Sequence, residues 1–476
     1  MLEQSEISES CVLSFRVGIT LIDEPDGNIL LRSDDAEMRF EQPVSYFRSI
    51  LWTLFSEGAR EGELLDSVSM YGRIADLAKI AHYVRRLAQK GMLSHTIVWC
   101  GGRLATLVPL ASSYQDMVDE PAPKARYVMS RFAYVHKEGE ELVLESPLSA
   151  AKVVLYDGRL MGLLNTLAKA CSIQELSSAS PFSHSITVLF VRMLLKCGVL
   201  SPVDDNGNVE QESPTLAQWE FHDLLFHTRS RLGRHLNPYG ATFRFRGKID
   251  PLPAVSMSPS GDAVPLYRPD FRALGEKDVP FTQVLERRQS IRKYGERPIT
   301  VDELGEFFYR TARLRAISEA SPQGYERSDR PYPSGGACYE LELYVVANVC
   351  EGLAPGLYHY CPERHQLSKI ADKTLKLESI LNRAYYAADQ QSVPQVLIIV
   401  AARFQRVSWK YNGMAYAVVL KDVGVLYQTM YLVATAMGLA PCALGGGDSD
   451  LFAAVAGTNY YAETSVGEFI LGSKAE

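Results

Sequence analysis

An internal repeat constrains this chain more than any single motif. The segment Tyr83-Val84-Arg85-Arg86-Leu87 through Gly91-Met92-Leu93-Ser94 recurs as Phe190-Val191-Arg192-Met193-Leu194 through Gly198-Val199-Leu200-Ser201, an offset of 107 (190 less 83). Upstream, Ile29-Leu30-Leu31 matches Leu142-Val143-Leu144, and Ile50-Leu51-Trp52-Thr53-Leu54 matches Leu163-Leu164-Asn165-Thr166-Leu167, an offset of 113 (142 less 29). The change of offset places a short deletion between the blocks. A duplicated unit folds the same way twice, so each copy can be read against the other.

Each copy reads as strand, strand, helix, short helix, helix and an extended wing. Phe47, Ile50, Leu51 and Leu54 keep the i, i+3, i+4, i+7 spacing of one buried helical face, and Leu160, Leu163, Leu164 and Leu167 repeat it. Gly91 and Gly198 fall where a left-handed cap would close the last helix. That order is a winged helix-turn-helix, and two such units are expected at 1–114 and 126–204, with a larger domain at 215–476. Polar, turn-rich stretches at 115–123 and 203–214 separate them. Pro251 to Pro280 is too long and too apolar for a tether and is expected to pack along the domain that follows.

Composition narrows the partners. A net charge of −7 argues against wholesale attraction to nucleic acid or anionic membrane. The third helix of copy one carries Lys79, Arg85, Arg86 and Lys90, which suits DNA or a solvated face, but copy two keeps only Arg192 and Lys196. The N-terminus MLEQSEISES has neither the basic region nor the apolar run of a targeting signal. Met414 to Leu439 is apolar, yet Lys421 and Asp422 at its middle favour a buried helix over a membrane span. A cytoplasmic location is expected. The eight cysteines include no C-x-x-C pair and the histidines no H-E-x-x-H, so neither a disulfide framework nor a metal is predicted.

The second half carries the chemistry. Glu286 to Tyr294 brings Arg287, Arg288, Arg292 and Lys293 together with the Ser290 hydroxyl, a donor set that suits a phosphate and also a basic surface turn. Arg330 to Tyr339 holds Gly335 and Gly336, which let backbone approach a flat ligand before the strand Leu341 to Ala347. Gly356-Leu357-Tyr358-His359-Tyr360, Lys410-Tyr411, the apolar helix to Met437 and Ala443-Leu444-Gly445-Gly446-Gly447 follow.

In that order these motifs resemble the nitroreductase superfamily and, within it, the SagB-type azoline oxidases of peptide pathways. With the winged-helix pair in front, the chain resembles the cyanobactin-type thiazoline oxidases. The resemblance implies an α+β protein: a nitroreductase-like FMN domain, a mixed sheet flanked by helices, preceded by two winged-helix-like units. It implies that Arg288 and Ser290 hold the FMN phosphate, with Lys474 as a second phosphate partner, and that Arg292 faces the pyrimidine edge. Gln289 would lie along the ribityl chain, Pro333, Ser334 and Gly335 beside the ring, and Leu444, Gly445 and Gly446 would present N–H groups near flavin N5. The implied partners are an azoline-containing precursor peptide, a second copy of the chain, with each flavin at the subunit interface, and a cyclodehydratase of the same pathway. Winged-helix-like units in such pathways take up a leader peptide as an added strand; architecture and DNA binding are the competing roles for the pair.

Azoline oxidation removes a proton alpha to a carbonyl and a hydride from the neighbouring carbon. Lys410-Tyr411 matches the family's Lys-Tyr pair near the substrate, with Tyr411 as base or relay and Lys410 as its activator, or the reverse. With ordinary pKa values of about 10.4 and 10, either needs burial or a neighbouring charge to serve as a base. Adjacent residues reach one site only from a loop, which Asn412-Gly413 favours. Met414 and Ala417 stand where relatives commonly carry basic residues, so substrate contacts there are expected to differ. The alternatives are an NAD(P)H-dependent nitroreductase-like flavin reductase and a non-catalytic peptide- or DNA-docking protein.

Overall fold

The computed structural model describes residues 9–60, 62–64, 66, 74–114, 121–122, 124–204, 206–207, 209, 213–256, 262–318 and 324–475. The extreme N-terminus read for targeting signals, and parts of both polar linkers, lie outside them. Two compact units result, Met1–Asn237 and Pro238–Glu476.

In the first unit the repeat is visible as a repeated fold. Copy one runs β1 (Glu9–Phe15), β2 (Thr20–Asp23), β3 (Ile29–Arg32), β4 (Glu37–Phe40), α1 (Ser45–Ser56), β5 (Ala59–Arg60), α2 (Ile74–Gln89), β6 (Leu93–Trp99) and β7 (Gly102–Pro109). Copy two runs β8 (Arg126–Met129), β9 (Tyr134–Glu138), β10 (Glu141–Glu145), β11 (Ala151–Leu155), α3 (Leu160–Thr166), β12 (Cys171–Ser172), α4 (Ile173–Ala179), α5 (His184–Lys196) and β13 (Leu200–Val203), followed by α6 (Phe221–Arg229). The sheet β5-β1-β6 answers to β12-β8-β13, and β2-β3-β4 to β9-β10-β11. Strand β7 breaks the symmetry. It pairs antiparallel with β11, so one seven-stranded sheet, β5-β1-β6-β7-β11-β10-β9, runs through both copies.

The helical faces read from spacing are the buried ones: Phe47, Ile50, Leu51 and Leu54 in α1, and Leu160, Leu163 and Leu164 in α3 with Leu167 just after it. Gly91 and Gly198 adopt φ of 60° and 62°, and Met92 N–H to Leu87 O and Val199 N–H to Leu194 O, both 2.9 Å, close the two helices as Schellman caps. A Cβ on Gly91 would stand 2.7 Å from the Ala111 carbonyl, which excludes any other residue there. The retained arginines, Arg85 and Arg192, both line a cavity of about 440 Å³ between α2 and α5. Residues 215–237, expected with the larger domain, belong to this unit. Arg229 meets the buried Glu145 at 2.6 Å and Arg234 donates to the Pro147 carbonyl at 2.9 Å.

The second unit runs β14 (Ala263–Pro265), α7 (Phe271–Lys277), α8 (Phe281–Arg287), β15 (Ile299–Thr300), α9 (Val301–Ala312), β16 (Ala316–Ser318), β17 (Arg327–Asp329), β18 (Leu341–Ala347), β19 (Cys350–Glu351), β20 (Gly356–Cys361), β21 (Gln366–Asp372), α10 (Leu375–Ala387), β22 (Val396–Arg403), α11 (Phe404–Ser408), α12 (Ala415–Ala436), β23 (Leu439–Leu444), α13 (Ser449–Ala456) and β24 (Glu463–Ser473). Its sheet has the order β14-β21-β20-β18-β22-β24-β23. The α+β class stands, but the sheet expected to be mixed is antiparallel at every pairing; the parallel pair, β15 with β19, lies apart from it. Every residue of β18 and β22 is buried, because one core packs α9 and α12 on one face and another packs α10 and α13 on the other. Continuous apolar runs report burial on both faces, here without parallel strands.

The proline-rich stretch packs as expected. β14 adds an edge strand to β21, Arg406 donates to the Leu252 carbonyl at 2.7 Å, and Arg403 to that of Pro253 at 3.0 Å. Helix α12 departs from expectation. Val418, Val419, Val423, Leu426, Met430 and Ala434 are buried, but Tyr416, Leu420 and Val425 are 48%, 40% and 36% exposed. It is the one described helix long and apolar enough to cross a membrane, and it buries Asp422 at its middle.

Candidate functional site

The predicted site residues fall into two groupings, both anchored on α12. The first forms around the turn that follows α8. Helix α8 stops at Arg288, whose ψ of 123° leaves the helical region, and the chain then runs beside the C-terminal tail: Ile291 N–H donates to the Pro441 carbonyl at 2.8 Å, and Tyr294 bridges Lys474. Gln289, Ser290 and Arg292 therefore share with Lys474 an open cavity of about 350 Å³, also lined by Lys293 and Gln391. No carboxylate is among its described lining residues, and Arg288, Arg292, Lys293 and Lys474 form no ion pair among the described residues. A hydroxyl, a guanidinium and two ammonium groups with their charge unspent fit a phosphate.

Tyr431, on α12, ties this turn to the strand end that carries the glycines. Its hydroxyl bonds Ser290 Oγ at 2.8 Å and accepts the Ala443 N–H at 2.8 Å, and the Arg288 guanidinium lies 5.4 Å from its ring centre. Leu444, next along β23, is buried, while Gly445 and Gly446 open to the surface. Gly447 is fixed by contact: a Cβ there would collide with the Glu468 carboxylate.

The second grouping forms around Gly336. Pro333, Ser334 and Gly335 lead into a single 3-10 turn, Gly335–Ala337, in which Gly336 has φ 63°. Asp422 of α12 holds the turn from below, accepting from Ser334 Oγ at 2.7 Å and from Gly335 N–H at 2.9 Å. From the other side, Lys410 Nζ donates to the Gly336 carbonyl at 2.8 Å. A Cβ on Gly336 would collide with both the Tyr411 hydroxyl and the Lys410 ammonium. The two polar ends thus converge on one point. They can do so because α11 ends at Ser408 and the chain leaves it as an irregular corner, as the Asn412-Gly413 pair predicts. Gly240 and Asn412 exchange backbone bonds of 3.1 and 2.9 Å, and Trp409 Nε1 donates to the Ile249 carbonyl at 2.7 Å, so the corner is strapped in place.

Burial sets the charges here. Lys410 is 8% exposed and its ammonium is held below the ordinary lysine pKa by desolvation, whereas desolvation, with Cys338 and Asp422 nearby, pushes the Tyr411 hydroxyl up. Under the turn, Ser334 Oγ accepts the Tyr339 N–H at 2.9 Å and gives its single proton to Asp422, so its 3.3 Å contact with Glu340 requires Glu340 to bring a proton of its own. Burial and the facing Asp422 push Glu340 up to about 8, in agreement.

Sequence reasoning did not find Tyr431, Asp422, Glu340, Gln391 or Arg406. Arg406 is fully buried and donates to the Cys338, Leu252 and Glu326 carbonyls, which locks the Gly336 loop to the proline-rich segment. A charged residue within an apolar helix was the available signal for Asp422; the others are ordinary residues in ordinary context.

Comparison with known proteins agrees with this layout. The nitroreductase family model matches residues 285–472, the cyanobactin oxidase ThcOx model residues 127–236, and the ThcOx helix-turn-helix model residues 7–117. A protein of Methanocaldococcus jannaschii that bears a nitroreductase name is 30% identical over 39% of this chain and 85% of its own length. The microcin B17-processing protein McbC of Escherichia coli is 32% identical over 26% of this chain, and the trifolitoxin-processing protein TfxB of Rhizobium leguminosarum 29% identical over 24%. The matches span 46% and 31% of those two relatives. The glycine-bounded turns, the strand order of motifs and these matches place the chain in the nitroreductase family, in the arrangement of the cyanobactin oxidases, with the ThcOx helix-turn-helix and central segments set before the nitroreductase domain.

Proposed function

We propose that the chain is an FMN-dependent oxidase that converts an azoline in a ribosomally made peptide to the azole. The observation that carries this reading is the convergence of Lys410 Nζ and the Tyr411 hydroxyl on Gly336, in a turn that Asp422 ties to the helix that also anchors the unspent cations around Ser290. McbC and TfxB, whose names mark them as processing proteins for peptide products, support a peptide substrate.

Arg288, Ser290 and Lys474 would hold the phosphate of FMN, Arg292 its pyrimidine edge, and Gln289 its ribityl chain; Pro333, Ser334 and Gly335 would lie beside the ring, and Leu444, Gly445 and Gly446 would present N–H groups to it. When bound, FMN supplies the hydride acceptor. Lys410 is the better base of the pair, because desolvation raises its neutral fraction while it makes Tyr411 harder to ionise. Its neutral amine takes the proton alpha to the carbonyl and Gly336 O receives the N–H that keeps it aimed. The Tyr411 hydroxyl orients the substrate beside it. With dioxygen as final acceptor the balance is azoline plus O₂ to azole plus H₂O₂, driven by the aromaticity of the product.

The active form in this reading is a homodimer. Tyr416 and Leu420, one turn apart on the exposed side of an apolar helix, lie on the surface a second copy would cover, and the two groupings would then complete each other across the interface. A second reading, a flavin reductase fed by NAD(P)H, is favoured by the nitroreductase name of the M. jannaschii relative. Anaerobic mixing separates them. Azoline peptide should bleach the yellow cofactor in one turnover; bleaching by NADH alone would establish the second reading.

A further inference from the structure

Taking a proton from an azoline carbon needs more than a base. The electron pair left behind spreads onto the neighbouring peptide carbonyl oxygen, and a fixed cation aimed at that oxygen lowers the barrier. Lys410 cannot supply that charge while its neutral amine accepts the proton. Arg406 is fully buried and engaged by the Cys338, Leu252 and Glu326 carbonyls, and Arg403 pairs with Glu342 at 3.0 Å. Met414 to Ala417, which lead from the corner into α12, carry no charge.

Arg327 is a cation beside this corner with no task in the fold. The segment that carries it is tied to the corner at several points. The Tyr325 ring centre lies 5.5 Å from Lys410 Nζ, the Tyr325 hydroxyl donates to the Arg406 carbonyl at 2.8 Å, and the Glu326 carbonyl accepts from Arg406 at 3.0 Å. Strand β17 then pairs with β16 from Ser318↔Arg327 to Ala316↔Asp329, with Ser328 and Arg330 buried and Arg327 and Asp329 exposed. Neither neighbouring carboxylate neutralises Arg327: Glu326 accepts the Ala254 N–H at 3.0 Å, and Asp329 lies 3.8 Å from Arg315. Among the described residues Arg327 forms no ion pair and no side-chain hydrogen bond. Its charge nevertheless reaches both members of the pair. Desolvation first, then Arg327 and Arg406, hold the Lys410 ammonium down against Cys338, and Arg327 eases an ionisation of Tyr411 that desolvation, Cys338 and Asp422 oppose.

We infer that Arg327 is a further catalytic residue: its guanidinium takes the peptide carbonyl next to the azoline carbon that is deprotonated and neutralises the charge that builds on that oxygen. The inference rests on the azoline-oxidase reading. The Cα–H bond breaks and its proton passes to Lys410 Nζ. The electron pair is shared with the carbonyl oxygen, facing Arg327, until the neighbouring ring carbon gives up its hydride to FMN and the ring double bond forms. A guanidinium suits the task because it stays charged at every working pH and presents its donors in a fixed plane. The substrate class follows: an azoline with a peptide carbonyl on its α-carbon, a carbonyl that a simple nitroreductase substrate lacks.

The test follows oxidation of an azoline-containing peptide by the FMN-loaded full-length protein across pH, in wild type, Arg327→Gln, Arg327→Lys and Arg315→Gln. Arg327→Gln should lower kcat and kcat/KM together by roughly 10²-fold, the signature of an interaction made in the transition state. The rising limb of its kcat profile should also move to higher pH, because the Lys410 ammonium loses a neighbouring positive charge that disfavoured it. Arg327→Lys keeps the charge, so the limb should stay at the wild-type position and kcat within about tenfold. Arg315→Gln removes an exposed cation beside the same hairpin and should stay within about threefold of wild type, with the limb unmoved. A kcat for Arg327→Gln within about threefold of wild type, an unmoved limb in that variant, or an equal loss in Arg315→Gln overturns the proposal. Since Arg327 ties down no other part of the chain, the melting temperature of Arg327→Gln should match wild type; should it fall, Arg327→Lys decides, and a displaced limb there overturns the proposal. Oxidation by wild type with Arg327→Gln unaffected sinks this proposal alone; no oxidation by wild type sinks the reading beneath it.

Discussion

The grouping around Ser290 and the grouping around Gly336 hang from the same helix, nine residues apart at Tyr431 and Asp422 (431 less 422), about 13 Å along its axis. They are built in opposite ways. The first is open and polar, with cations that no carboxylate of the described chain neutralises. The second is closed and strained, with a buried amine, two buried carboxyl groups, Gly336 in the left-handed region with no room for a Cβ, and Ala337 and Tyr339 at φ of 54° and 45°. An open cationic turn can bind an anion but gives no desolvation; a desolvated corner shifts a pKa by burial and leaves no cation of its own free for an anion. Binding and proton transfer are thus assigned to different places on one element.

The strongest way to break that division is Lys410→Ala. Turnover should fall by roughly 10²- to 10⁴-fold, with the yellow cofactor retained in the visible spectrum; loss of the colour instead would merge the two roles. Tyr411→Phe should cost less, roughly tenfold in kcat, the worth of one hydrogen bond. On the other side, Arg288→Ala should raise the FMN dissociation constant by roughly 10- to 100-fold in a flavin-fluorescence titration, the range for a bond to a charged group, while kcat at saturating FMN stays close to wild type.

Gly336→Ala tests the strained grouping by itself. The left-handed backbone and the collision with Lys410 and Tyr411 should lower stability by about 1–3 kcal/mol in a denaturant titration and displace the amine from its carbonyl partner. A gentler probe is pH. Glu340 holds its proton to about 8 in the folded chain but releases it near 4.5 when unfolded, so the folded state binds the extra proton and stability falls as pH rises through that window. One such proton changes the folding equilibrium by at most about tenfold per pH unit. Glu340→Gln should flatten the melting temperature between pH 5 and about 8; an unchanged slope would mean that Glu340 is ionised beneath the turn.

How much of this was legible follows from what each residue needs in order to be recognised. Gln289, Ser290 and Arg292 lie within four residues of chain, so a turn beside the Lys474 tail suffices to gather them, and the helical faces of α1 and α3 follow from spacing alone. The caps at Gly91 and Gly198 could be placed because only glycine adopts φ near 60° without strain at the end of a helix. Tyr431 and Asp422 act across 141 and 88 residues on Ser290 and Ser334, and no local pattern marks such a pair. The antiparallel sheet was hidden for a different reason, since burial on both faces erases the alternation that would have shown its direction. The domain boundary moved because Arg229 finds its partner in Glu145, far back in copy two. Strand β7 is the case no repeat can reveal, because its partner is the other copy.

The measurement that bears most directly on the account is mass spectrometry of an azoline-containing precursor peptide incubated aerobically with the purified, FMN-loaded protein. The account predicts a loss of two hydrogens from each ring acted on, absent with Lys410→Ala. An unchanged peptide mass, with the flavin intact and reducible by NADH, would contradict it.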